Sequence, residues 1–97
     1  MKIGNYYVDG EGFYKVIGKD YSGTQRIVIV EAVMTQGHSV TLYENLPYDE
    51  DGCQRRMCEC KKEDFECAKE IAKKTIRELY NFNSKIFRPL WDERFTI

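Results

Sequence analysis

The chain changes its hydrophobic period near residue 60. Before that point, apolar residues alternate with polar ones or form short β-branched runs, a pattern typical of strands. From Glu63 onward they recur at intervals of three and four, which is the spacing of one face of an α-helix. The pattern predicts a β-rich part over 1–60, a helix over 63–82 and a tail over 84–97.

The β-rich part divides into five predicted strands separated by turns and polar loops. The predicted strands are 3–8, 13–17, 25–34, 38–43 and 53–60. The third holds a β-branched run without alternation, which is typical of a strand covered on both faces. We therefore place 25–34 at the centre of an antiparallel sheet and pair it with 38–43.

The predicted helix carries one apolar stripe that should pack on this sheet. The stripe consists of Phe65, Ala68, Ile71, Ala72, Thr75, Ile76 and Leu79. Glu63 and Asp64 open the helix, where the macrodipole favours negative charge. The predicted fold class is α+β, with about five strands followed by one C-terminal amphipathic helix and a short aromatic tail. Two arrangements remain open for the strands, a small antiparallel sheet and an SH3-like barrel.

Composition and charge narrow the class of protein. With 97 residues, 42% of them hydrophobic and 32% charged, the chain predicts one globular domain over 1–97. A net charge of −1 gives no field that favours nucleic acid, so we expect no direct sequence-specific nucleic-acid binding. The sequence has neither a signal peptide pattern nor an apolar run of about 20 residues. We therefore expect a cytoplasmic protein with no membrane partner and with reduced cysteines.

The four cysteines raise the question of a zinc site. Cys58 and Cys60 point the same way on a strand, whereas Cys53 has the opposite parity and Cys67 lies on the helix, so the spacing does not aim four thiolates at one point. The prediction is that the thiols fill the core and that the protein holds no metal or other cofactor. The alternative is a small zinc-binding module that uses Cys58, Cys60, Cys67 and His38.

The sequence lacks the frames that usually accompany catalysis. His38 is the only histidine, and no G-x-S-x-G or comparable frame surrounds a serine or cysteine. The glycines near residues 10 and 18 match neither a P-loop nor a dinucleotide-binding loop. We therefore predict a non-catalytic protein.

Tyrosines and carboxylates are the candidate binding groups. Six of the seven tyrosines lie in the β-rich part, where they either form an interface or occupy half-buried edges. Residues 44–52 are predicted to form an acidic loop, and such a loop suits a partner with a basic surface. The predicted partner-binding residues are Tyr43, Glu44, Tyr48, Asp49, Glu50, Asp51 and Trp91.

Trp91 belongs to a tail that carries six large apolar residues in its last twelve. Such a segment either folds back over the sheet edge or helix, or contacts a partner or a second copy of the chain.

These features favour a non-catalytic protein-interaction module that acts through an acidic, tyrosine-containing surface. Phage and mobile-element inhibitors of a host nuclease or defence complex have similar size and simplicity, so an anti-CRISPR-like inhibitor is a specific form of this hypothesis. A second hypothesis is a small-ligand or nucleotide-binding protein that uses stacked tyrosines with Arg55 and Arg56. The zinc module is the third.

Overall fold

The computed structural model of the protein describes residues 1–36 and 39–86, without the side chains of 36 and 79–86. Its elements in chain order are β1 (Tyr6–Val8), β2 (Gly12–Asp20), β3 (Ile27–Gln36), β4 (Ser39–Asp49), α1 (Glu50–Arg56), β5 (Cys58–Cys60) and α2 (Lys62–Ile86). His38 and residues 87–97, which include Trp91, lie outside the described part, so the predictions made for them stay predictions. The α+β class, with a five-stranded antiparallel sheet and a C-terminal helix, is confirmed.

The sheet has the strand order β4-β3-β2-β1-β5, and neighbouring strands are antiparallel. Strands β1 to β4 follow one another across the sheet, and α1 then returns the chain to the opposite edge, where β5 pairs with β1. The sheet is open, so of the two predicted arrangements the barrel is not the one observed. The predicted pairing of β3 with β4 is confirmed, but the prediction that 25–34 is the central strand is wrong, because β2 occupies the middle.

Strand β3 is covered on both faces, as its β-branched run predicted. Val28, Val30, Ala32 and Met34 face a cluster on the α1 side of the sheet. The other members of this cluster are Tyr14, Val16, Cys53 and Met57, with Met1, Tyr7, Leu46 and Tyr48 at its margin. On the opposite face, Val33 belongs to a second cluster beneath α2.

Helix α2 lays a narrower stripe on the sheet than the sequence predicted. Phe65 and Ala72 are buried and Ala68 packs beside them, but Ile71 is 61% exposed and Ile76 is 38% exposed. The side chain of Leu79 lies outside the described residues. The helix begins one residue earlier and ends four residues later than predicted. The stripe is narrow because α2 is the one described element on this face of the five-stranded sheet, so no other described element packs against its flanks.

The predicted acidic loop over 44–52 is wrong. Strand β4 continues to Asp49, and α1 begins at the next residue. Asp49 ends the strand by capping the helix, because its Oδ2 accepts a hydrogen bond of 3.0 Å from the backbone nitrogen of Gly52. The predicted strand 53–60 is shortened for the same reason: Cys53 lies in α1, and only Cys58–Cys60 forms a strand.

At the other end of the chain, β1 is shorter than the predicted 3–8. Gly4 has a positive φ of 91°, and the backbone nitrogen of Asn5 bonds to the carbonyl of Lys2 at 3.2 Å. This turn delays the start of the strand until Tyr6.

Phe65 and Ile76 of α2 are buried to different extents, so we predict that they contribute unequally to the stability of the fold. Phe65→Ala should lower the free energy of unfolding by about 3–5 kcal/mol, because it removes a buried ring and leaves a cavity. Ile76→Ala should cost less than about 1 kcal/mol, because that side chain is already partly in water. Guanidinium unfolding of both variants measures the difference. Equal losses of unfolding free energy in the two variants would contradict the observed packing of the helix on the sheet.

Candidate interaction surface

Glu50 forms a buried ionic cluster where β4 joins α1. Its carboxylate has no exposed surface and accepts a hydrogen bond of 2.8 Å from the Tyr21 hydroxyl. The Met1 ammonium lies at 3.1 Å, Arg26 Nη2 at 2.9 Å and Lys19 Nζ at 3.6 Å. The cluster therefore ties the first residue, the end of β2 and the loop before β3 to the start of α1.

The charge of Glu50 is stabilised within this cluster. Burial alone raises the pKa of a carboxyl group, but the hydrogen bond from Tyr21 and the nearby Met1 ammonium outweigh it, and Arg26 adds to their effect. The pKa of Glu50 is consequently lowered, and the group is ionised at neutral pH. The prediction that Glu50 lies on an exposed acidic loop is therefore wrong, because its carboxylate is fully covered and is not part of the surface.

Tyr48 also turns inward instead of presenting its ring to solvent. The ring packs edge-on against Tyr14 with centroids 6.0 Å apart, and its hydroxyl donates to the Met34 sulfur at 3.7 Å. Arg56 of α1 lies over the same ring at 5.8 Å. The side chain is half-buried, and its contact with Arg56 links β4 to α1.

Four predicted residues do remain on the surface along β4 and the first turn of α1. Tyr43 is 40% exposed, and Glu44, Asp49 and Asp51 are exposed as well. Because β4 is an edge strand, Tyr43, Glu44 and Asp49 lie along one border of the sheet, and Asp51 follows them in the first turn of α1. We call Tyr43, Glu44, Asp49 and Asp51 the acidic edge.

The hydrogen bonds of β3 show which main-chain groups of β4 point away from the sheet. The backbone nitrogen of Thr35 donates to the carbonyl of Glu11 beyond Gly12 at 2.8 Å, so Thr35 directs its main chain towards β2. Its partner on β4 is Val40, which therefore directs its own main chain away from β3. By alternation Leu42 does the same, whereas Thr41 bonds inward.

The second half of β4 is less open to an added strand. Residues 44 and 45 face the single residue Glu31, which makes a bulge in the pairing with β3. The backbone nitrogen of Glu50 bonds to the Arg26 carbonyl at 2.8 Å, and this register places the main chain of Pro47 on the outer side. Proline is tolerated there because no bond within the sheet is lost. Unpaired donors and acceptors are thus concentrated in the first half of the strand.

Depressions lie on both flanks of α2 on its face of the sheet. An apolar groove of about 430 Å³ lies beside Phe13, Val33, Ala68 and Ile71. A more polar depression of about 360 Å³ lies on the other flank, lined in part by Tyr43, Glu44, Asn45, Lys69 and Lys73.

The described tyrosines are not gathered into one concave site. Tyr14 is buried and donates to Asp9 Oδ1 at 3.0 Å, and burial together with this bond raises the pKa of its hydroxyl. Tyr6 packs against Phe65 with ring centroids 5.4 Å apart. The sequence could not distinguish these core tyrosines from interface tyrosines, because their positions follow no hydrophobic period.

The cysteines are free thiols in differing environments. Cys53 is buried between α1 and the sheet, where desolvation raises the pKa of its thiol, so the prediction of core filler is confirmed for this residue. The prediction is wrong for Cys58 and Cys67, which are exposed. The side chain of Cys60 is half-buried. Among the residues that the structure describes, no group of three or more His, Cys, Asp or Glu side chains is placed to hold a metal ion.

Comparison of the chain with protein-family models, with curated proteins and with solved structures finds no match. Within 1–36 and 39–86, no helix combines the length and apolar character needed to cross a membrane.

The Glu50 cluster predicts a pH-dependent contribution to stability. Glu50→Gln should lower the free energy of unfolding by about 1–3 kcal/mol at pH 7; this is less than for a deeply buried ion pair, because Arg26 is 58% exposed and can be hydrated. Because the folded-state pKa is lowered, the contribution is complete above the unfolded value of about 4.3 and is lost as pH falls through the folded value. Urea unfolding of wild type and variant should therefore converge in acid.

Glu44→Gln is the matched control, since it makes the same change at an exposed carboxylate on β4, the strand that leads into α1. It should change stability by less than about 0.5 kcal/mol at any pH. A wild-type advantage over Glu50→Gln that stays constant down to pH 2 would contradict the assignment.

Proposed function

We propose that the protein is a non-catalytic protein-interaction module that binds a basic partner through the acidic edge. The observation that carries this proposal is the exposure of Tyr43, Glu44 and Asp49 on β4, an edge strand of the described sheet, and of Asp51 in the first turn of α1. From Tyr43 to Asp49 the strand spans roughly 20 Å, which suits a contact of protein-interface size.

The side chains of the acidic edge supply two different kinds of interaction. Exposed carboxylates attract a basic surface and increase the rate of encounter, but they add little to the lifetime of a complex. An aromatic ring that loses its water on binding mainly slows dissociation. Tyr43 and Glu44 are consecutive residues of the edge strand β4, so a partner that contacts this border of the sheet can reach both.

A more specific form of the proposal is an inhibitor of a nuclease or defence complex, comparable to anti-CRISPR proteins. A basic groove that normally holds a phosphate backbone is a suitable target for a row of carboxylates. The small size of the domain supports this form by analogy only.

The second candidate function is the binding of a small anionic ligand such as a nucleotide. The depression lined by Tyr43, Asn45 and Lys73 supports it, because Lys73 supplies a cation beside an amide and a tyrosine, although Glu31 and Glu44 line it as well. Arg55 and Arg56 belong to α1 and do not line this depression. Thermal unfolding with and without ATP tests the candidate: a rise in Tm that Lys73→Ala removes would favour it over the interaction module.

Charge reversal tests the acidic edge. A pull-down from the native host followed by mass spectrometry identifies the partner, and its association is then measured with a Glu44→Lys/Asp51→Lys variant. We expect the association rate to fall by about tenfold at low salt, with a smaller loss at high salt. Tyr43→Ala should instead raise the dissociation rate by about tenfold or more. Asp49 is left intact because it caps α1.

The control variant Glu63→Lys/Glu66→Lys makes the same change in net charge at the start of α2, which follows β5 at the opposite edge of the sheet. It should retain most of the association rate. If both double variants slow association equally, overall charge and not the acidic edge determines binding, and the proposal fails.

A further inference from the structure

Helix α2 crosses the sheet from β1 to β4. Phe65 packs against Tyr6 on β1, and the Lys69 ammonium pairs with Glu31 on β3 at 2.6 Å. Ile76 lies beside Leu42 on β4 in a small depression. Eleven helical residues advance about 16 Å, and the three strand spacings from β1 to β4 amount to about 14 Å, so the helix runs steeply across the strands.

Because of this direction, α2 extends past the edge of the sheet. The helix continues for ten residues beyond Ile76, to Ile86, which is about 15 Å of backbone. An additional strand beside β4 would lie about 4.8 Å outside it, which is well within that reach. Among the described residues no strand pairs with the outer edge of β4, and α2 extends over that edge.

The part of β4 beneath the overhanging α2 has main-chain groups available to pair with another strand. Val40 and Leu42 direct their main-chain groups outward, while their half-buried side chains face α2. The depression of about 370 Å³ next to Leu42 is lined by Lys73, Ile76 and Arg77. Beyond Tyr43 the bulge and Pro47 interrupt the edge, which limits pairing to the first five residues of the strand.

We propose that this segment, 39–43, pairs antiparallel with the same segment of a second copy of the chain. Val40 would face Leu42 of the second copy and Leu42 would face its Val40, so that four main-chain hydrogen bonds form around a two-fold axis. Thr41 lies on that axis opposite Thr41 of the second copy. The two sheets would then join into one of ten strands.

The choice of a second copy follows from the self-complementary pattern of this edge. The two outward residues are separated by one position, so they satisfy each other in an antiparallel pair without a shift in register. Their apolar side chains meet on the α2 face, and the two threonines meet on the other, both of which are favourable cross-strand pairs. Each overhanging α2 would cover the partner's β4 and remove the partly exposed Ile76 from water.

This dimer does not depend on the function proposed above. Glu44, Asp49 and Asp51 lie beyond the paired segment, so the carboxylates of the acidic edge remain available to another protein. Tyr43 is the last residue of the paired segment and is the one residue that the two proposals share. Failure of one proposal would leave the other standing.

Sedimentation of the full chain tests the dimer. Between about 10 µM and 1 mM we expect a monomer–dimer equilibrium, the range appropriate for a short strand pairing. Thr41→Lys and Thr41→Glu should each be at least about tenfold weaker in self-association, because like charges would stand directly opposite each other. An equimolar mixture of the two variants should dimerise again as a mixed pair. Thr41 is exposed, so neither change disturbs the core.

Asn45→Lys is the matched control, since it adds the same charge to the same strand outside the paired segment, and it should retain the wild-type dimer. A chain that stays monomeric up to about 1 mM overturns the proposal. So does a dimer that both Thr41 variants keep, because another surface must then form it. Restoration by the mixture distinguishes charge pairing from a folding defect, which mixing would not repair.

Discussion

A sheet with apolar side chains on both faces must be covered twice, and the rest of this structure follows from that requirement. Helix α2 covers one face, and the much shorter α1 covers the other with Cys53 and Met57. Because α1 has to cross behind the sheet, the chain leaves β4 on one border and adds β5 on the opposite one. The same route leaves β4 with no strand beyond it in the described part of the chain.

A seven-residue helix is too short to be stable alone, so α1 depends on its contacts. Asp49 caps its first turn, Cys53 is buried against the sheet, and Arg56 lies over the ring of Tyr48. Glu50 adds charge contacts to three separate segments. Burying this carboxylate is costly, and the cost is offset because a hydroxyl and three cations surround it.

Sequence reasoning succeeded where many residues share one periodic signal. The spacing of apolar residues predicted α2, and the β-branched run predicted a strand buried on both faces. It failed at α1, where Cys53 and Met57 give a single pair of apolar residues at helical spacing. The preceding Pro47 also made this segment look like a loop. Sequence reasoning also failed at Glu50, because nothing local distinguishes this carboxylate from Asp49 and Asp51. Its partners lie up to 49 residues away, and only the folded topology brings them together.

That separation along the chain has a kinetic consequence. The contacts of Glu50 with Tyr21 and Met1 close loops of 29 and 49 residues, so forming them early in folding would cost chain entropy before other contacts repay it. We expect them to form after the rate-limiting step, so that a chevron plot of a Glu50 variant would show faster unfolding and an almost unchanged folding rate. The buried carboxylate would then determine how long the native state persists, and hardly how quickly it is reached.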